Sequence, residues 1–155
     1  MNFQFHALSA EQFRDLTGRT DAELAAIGVR RLVVDENPGY PCRVSLSDGE
    51  VGEVVYLLSH VHHDVASPYR SAGPIFVREG VPTARPAPNE IPLMFRHRLL
   101  SVRAYDEAAL MVGAEVVQGE ALEATIRRLL EDPSVSYLHI HNAKPGCFNC
   151  RVDRA

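Results

Sequence analysis

The chain has 155 residues, 46% of them hydrophobic and 23% charged, and a formal net charge of −4. That length fits one domain, residues 1–155, which buries ~70% of its unfolded surface and needs no staples, and the composition is that of a soluble globular protein. The acidic balance speaks against general nucleic-acid binding, which asks for a basic surface. No run approaches the ~18 apolar residues of a membrane span.

The three cysteines are too few and too odd in number for a disulfide scaffold. Met1–His6 lacks the basic start and long apolar run of a secretory signal, so the cytoplasm with reduced thiols is the expectation. The basic residues are lopsided, fifteen Arg against the single Lys144. Genome base composition accounts for such a bias without a functional cause, although arginine suits bidentate recognition of carboxylate or phosphate.

In chain order, residues 2–8 form a short edge strand. Ser9-Ala-Glu-Gln12 then reads as a capping box opening a helix to about Leu16. Thr20-Asp-Ala-Glu23 repeats the signal, and this second short helix stops at Gly28. Val29–Val34 is β-prone and leads into the turn cluster Asp35-Glu-Asn-Pro-Gly39. Cys42–Leu46 reads as a strand, with a hairpin turn at Ser47-Asp48-Gly49.

Glu53–Val61 contains the unbroken run Val54-Val-Tyr-Leu-Leu58, which predicts a central strand covered on both faces. Asp64–Gly73 reads as a loop and Pro74–Val77 as a short strand. Residues 80–92 carry Pro82, Pro86, Pro88 and Pro92 without periodicity, as in a surface crossover or a lid.

Phe95–Tyr105 and Ala109–Gln118 follow as strands. Glu120–Glu131 is the strongest helix signal: Leu122, Ile126, Leu129 and Leu130 make one stripe, and Glu123 and Arg127 a favourable i,i+4 pair. Val135–His141 and Phe148–Val152 make a final hairpin across Pro145-Gly146. The expectation is an α+β fold, with a mostly antiparallel or mixed sheet of seven or eight strands, one longer helix and two short ones.

Reactive chemistry concentrates in Tyr137–Arg151, which holds two of the three cysteines and two of the seven histidines. In a strand successive side chains alternate faces. Cys147 and Cys150 therefore point opposite ways, and a tetrahedral zinc site on His139, His141 and both thiols is not expected. If the loop is Ala143–Gly146, Asn142 pairs with Cys147 and His139 falls opposite Cys150, grouping His139, His141 and Cys150 as an open three-ligand set. A loop one residue shorter puts Cys147 beside the histidines. The bland account has the histidines hydrogen-bonded in the sheet beside small buried thiols.

A thiol activated by an imidazole is the catalytic reading of the same residues, with Cys147, His141 and His139 as candidates. His60-Val-His62-His63 has its own bland account as surface histidines at a strand end. If the strand continues, His60 and His62 share a face. In the loop after it, Tyr69, Arg70 and Ser71 supply a stacking ring, a guanidinium and a hydroxyl suited to a small anion; alternatively Arg70 pairs with Asp64 or Glu79 and pins the loop.

Three stretches, Gly39-Tyr-Pro-Cys-Arg43, Ser67-Pro-Tyr-Arg-Ser-Ala-Gly-Pro-Ile-Phe-Val-Arg78 and His141-Asn-Ala-Lys-Pro-Gly-Cys-Phe-Asn-Cys-Arg151, resemble the bacterial family of domain of unknown function 1203. The resemblance covers essentially the whole chain. It implies a single small bacterial domain with no activity to transfer, in which Cys147 belongs to the family motif and the position of Cys150 varies.

These observations lead to an expected small-molecule pocket walled by the Ser67–Arg78 loop, the Tyr40–Arg43 turn and the C-terminal hairpin. Arg43, Arg70 and Arg78 are the anion anchors in this reading, and Tyr69 and Asn142 orient the ligand, a small carboxylate or phosphate. No cofactor or structural metal is assigned, and oligomeric state is not legible. The alternatives are a non-catalytic interaction module with a bare strand edge, and a metal or redox site on the hairpin.

Overall fold

The computed structural model describes all 155 residues. Eight strands form two antiparallel sheets, one of five strands and one of three, with few and short helices. The α+β reading holds. In chain order the strands are β1 (Phe3–His6), β2 (Arg30–Val33), β3 (Val54–His63), β4 (Ser71–Arg78), β5 (Leu99–Tyr105), β6 (Met111–Gln118), β7 (Tyr137–Asn142) and β8 (Phe148–Arg154). The larger sheet has the order β1-β8-β7-β5-β6 and the smaller β2-β3-β4. The helices are α1 (Asp21–Ala26) and α2 (Leu122–Glu131).

Helix α2 covers one face of the larger sheet. Its buried residues Leu122, Thr125, Ile126 and Leu130 recur at helical spacing, so one stripe meets Leu100, Val102, Leu138, Ile140 and Val152 of the strands. Arg127 reaches back to Glu123 at 2.8 Å on the exposed side. At the C-terminal end, Arg154 donates to the carbonyls of Leu130 and Asp132, groups the helix cannot satisfy itself. The entry to α2 requires Gly119: a Cβ there would lie 1.8 Å from the Phe95 carbonyl oxygen.

A second core joins the smaller sheet to α1 and to a 3-10 turn at Ala10–Leu16, through Phe13, Leu16, Leu24, Tyr56 and Val77. The reciprocal capping box at Thr20 and Glu23 forms as expected. The one at Ser9 does not: its hydroxyl accepts from Glu11 N at 3.4 Å, and the seven residues wind as a 3-10 helix. α1 closes at Gly28 with φ +76°, a left-handed stop that suits glycine.

Residues 41–49 depart from the expected hairpin. They make two isolated bridges, Pro41 with Asp48 and Cys42 with Phe76, around a tight turn in which Leu46 N donates to Cys42 O and Leu46 takes φ +50°. The turn outcompetes a ladder because Arg43 N is drawn to Phe76 O while Cys42 N is drawn to Ser47 O. β4 begins at Ser71, before the expected Pro74. Residues 80–92 run as a crossover, tied down where Ala84 N meets Val44 O and Asn89 N meets Phe3 O. No helix is long and apolar enough to cross a membrane.

Candidate functional site

The β7–β8 hairpin carries two polar regions. Its turn is the four-residue one, with Asn142 N donating to Cys147 O at 2.9 Å. Plain alternation would then place Cys150 opposite His139. Instead β8 contains a bulge: Ile140 faces Cys150 and His141 faces Phe148, with Asn149 the extra residue. One extra residue reverses the parity of everything beyond it. Cys150 therefore joins the core under α2, fully buried, where burial pushes its thiol pKa up. The three-ligand set of His139, His141 and Cys150 is overturned, and no group of three or more His, Cys, Asp or Glu side chains is arranged to hold a metal.

A second bulge brings in two histidines from the smaller sheet. β3 pairs Val61 with Ala72 and then His63 with Ser71, leaving His62 as the extra residue. Both His62 and His63 consequently pack on the β7 histidines: His62 stacks on Phe148 at 4.9 Å and lies 5.2 Å from His141, and His63 lies 4.8 Å from His139. His60 packs elsewhere, against Phe13, so the expected common face for His60 and His62 does not form. His62 and His63 are not simple surface residues. The bulge hid them, since nothing in His-Val-His-His announces one.

Donor geometry assigns the rings. His63 Nδ1 faces Tyr69 O at 2.8 Å, and a carbonyl can only accept, so Nδ1 carries a hydrogen; Nε2 pairs with the Tyr137 hydroxyl at 2.7 Å. His141 Nδ1 likewise donates to Gly146 O at 2.8 Å, leaving Nε2 without a partner. His139 Nδ1 and His62 Nδ1 are also buried and unpartnered. Burial is the main force on all three rings, aided by neighbouring histidines: it holds His139 down to about 2, His141 to about 3 and His62 to about 4. These three rings are neutral at physiological pH.

The other region lies at the turn. Arg43 is 1% exposed, yet none of the chain's ion pairs includes it. Its Nε donates to Phe148 O at 2.7 Å and its Nη1 to Pro41 O. Burial lowers its pKa, and the Cys147 thiol beside it works against that shift. Asn142 Nδ2 lies 3.5 Å from Cys147 Sγ, and Asn149 Nδ2 donates to Asn142 Oδ1 at 2.9 Å, turning the amide so that its N–H side meets sulfur. Cys147 thus has the Asn142 amide at its sulfur, with the Arg43 guanidinium close by.

Arg43, Asn142 and Cys147 line a cavity of about 600 Å³ together with Leu57, Ile75, Phe76, Leu99, His97, Arg98 and Lys144. No aspartate or glutamate lines it. Arg98 and His97 share the nearly buried carboxylate of Asp48, whereas Arg43 and Lys144 are in no ion pair. Sequence reasoning missed Lys144, His97 and Arg98. The only lysine in the chain, immediately before Pro-Gly and three residues before a cysteine, was a usable signal.

The remaining candidates do not converge there. Arg78 forks onto Glu53, 2.7 Å to each oxygen, and its Nη1 also donates to Ser47. Arg70 is exposed and lies 3.3 Å from Asp64, the loop-pinning alternative. Tyr69 is half-exposed, with its ring 6.0 Å from Tyr105. The expected single hollow is corrected to two regions, because each stray guanidinium found a carboxylate nearer than the cavity. His139 borders a separate hollow of about 310 Å³ with His62, His63 and Tyr137.

No curated protein and no solved structure matches the chain. Residues 39–154 match one family, described as protein of unknown function (DUF1203), and these span the Arg43 turn, both bulges and the hairpin. On that match over most of its length, the chain belongs to the DUF1203 family.

Proposed function

We propose that this protein binds a small anionic molecule with an apolar body in the cavity beside Cys147. The observation that carries this reading is Arg43: a buried guanidinium with no carboxylate partner, bordering a cavity that no acidic side chain lines. A buried charge is costly unless paired. The two carbonyls it touches are dipoles, and a ligand carboxylate or phosphate supplies the missing charge with bidentate geometry. Lys144 adds a second cation at the mouth, and Leu57, Ile75, Phe76 and Leu99 offer an apolar wall. The volume lies in the range of metabolite sites.

Titration calorimetry with hexanoate tests this, with hexanamide as the neutral control. Hexanoate binds and hexanamide binds at least about tenfold more weakly, as loss of a charge-assisted pair implies; Lys144→Gln weakens hexanoate alone. Equal binding of both, or of neither, overturns the proposal.

A second reading has its own observation. β6 is a sheet edge whose outer face shows Val112 and Val116, 46% and 63% exposed, and bare edges pair with other chains. In this interaction-module reading, Val116→Lys abolishes self-association seen by sedimentation; a monomeric wild type at every concentration counts against it.

A further inference from the structure

Resting on the anion-binding reading, we infer that Cys147 is a nucleophile and that its electrophiles are small carboxylates whose reactive carbon lies one or two atoms from the carboxylate.

The sulfur is the one thiol with access. Cys42 and Cys150 are both 0% exposed, whereas Cys147 is partly open and borders the cavity. The Asn142 amide donates to it, the Arg43 guanidinium lines the same cavity beside it, and no carboxylate does. Such surroundings suit a sulfur that carries negative charge while it attacks. Asn149, 0% exposed and bonded through Nδ2 to Asn142 Oδ1, is a positioning residue that keeps the amide nitrogen turned to sulfur.

The same adjacency sets substrate length. Because Arg43 and the thiol are neighbours in one cavity, a carboxylate held by Arg43 brings its α- or β-carbon to the sulfur, and a longer spacer carries the electrophile past it. With an α,β-unsaturated carboxylate the step balances without a second reactant. The S–Cβ bond forms, the C=C π bond opens, and the thiol proton passes through solvent to the α-carbon. His141 takes no part, since its Nδ1 is committed to Gly146 O and its ring is buried.

Iodoacetate and iodoacetamide make a matched pair of probes. In each, sulfur displaces iodide, the S–C bond replaces the C–I bond, and the thiol proton goes to solvent; only the charge differs. The measurement is the ratio of the two alkylation rates at Cys147 in the native full chain, read by peptide mass and divided by the same ratio for glutathione. A cationic cleft that focuses anions raises this normalised ratio by about tenfold or more. Arg43→Gln returns it toward one, and Lys144→Gln, at an exposed position that leaves the fold intact, lowers it part of the way.

A normalised ratio near one, or a Cys147 inert to both reagents, overturns the inference. Hexanoate separates the two proposals. Hexanoate binding with an inert Cys147 sinks the nucleophile and leaves the binding reading standing. A raised ratio that hexanoate does not suppress supports the nucleophile and counts against the binding reading.

Discussion

The two sides of the β7–β8 hairpin solve one problem in opposite ways. Both bury nitrogen-rich side chains: Arg43 at the turn, and His62, His63, His139 and His141 between the sheets. Arginine cannot give up its proton, so the turn side provides carbonyl oxygens and an open cavity. Histidine can, so the sheet side provides mainly aromatic rings, with one carbonyl each for His63 and His141, and the imidazoles of His62, His139 and His141 stay uncharged. A buried cation with room beside it is a site for an anion. Buried neutral rings make a contact between the sheets whose cohesion depends on pH.

The largest expected effect tests the second half of that contrast. Burial depresses His139 to about 2 and His141 to about 3, against about 6.5 for an unfolded histidine. As pH falls below about 6.5 the unfolded chain takes protons that the native one refuses. Stability is therefore fully present above that pH and is lost on acidification, continuing toward pH 3. Each ring contributes about 1.4 kcal/mol per pH unit, so the two together remove about 5 kcal/mol between pH 6 and 4. That is a large share of the stability of an ordinary domain. Urea unfolding at stepped pH measures it. His139→Phe should change neutral stability by less than about 1 kcal/mol, since Nδ1 has no partner to lose, and should lower the slope by one ring's share, about 1.4 kcal/mol per pH unit. An unchanged slope would mean that the cluster opens to solvent before the protein unfolds.

The first half is tested by Arg43→Met. Removing the guanidinium strips donors from Phe148 O and Pro41 O, at a cost of about 3 kcal/mol. The urea midpoint at pH 7 should fall accordingly, with the acid slope unaltered because the histidines are untouched. A variant as stable as the wild type would show that those carbonyls find other donors, or that relief of the buried charge offsets their loss.

How much of this was readable beforehand follows the same division. The stripe of α2, the box at Thr20 and Glu23, and the hairpin between β7 and β8 were all visible, because each rests on local spacing. The pairing of Asn142 with Cys147 was one of two outcomes that loop length left open, and the structure takes the four-residue turn. The bulges at His62 and Asn149 were not visible, and they decide which thiol goes to the core and which histidines meet. A bulge is fixed by what packs on the strand from elsewhere, here Phe148 against His62, and that is tertiary information. Arg43 and Cys147 could be named as reactive types, but no sequence pattern says that Arg43 lacks an acid while Arg78 has Glu53.

The smallest expected effect asks whether the two regions are functionally separate. The loop after β3 is held by Ser67, whose hydroxyl donates to Ala109 O at 2.9 Å and accepts from Tyr69 N at 3.0 Å, and by His63 on Tyr69 O. Arg70 adds only a pair with Asp64, both side chains more than half exposed. Exposed pairs of this kind contribute little, so Arg70→Ala should change stability by less than about 0.5 kcal/mol, whereas Ser67→Ala costs about 1 kcal/mol. Hexanoate affinity should be the same in Arg70→Ala as in the wild type, because Arg70 does not line the Arg43 cavity. If that affinity drops while stability holds, the loop reaches the ligand, and the cavity and the cluster are parts of a single site.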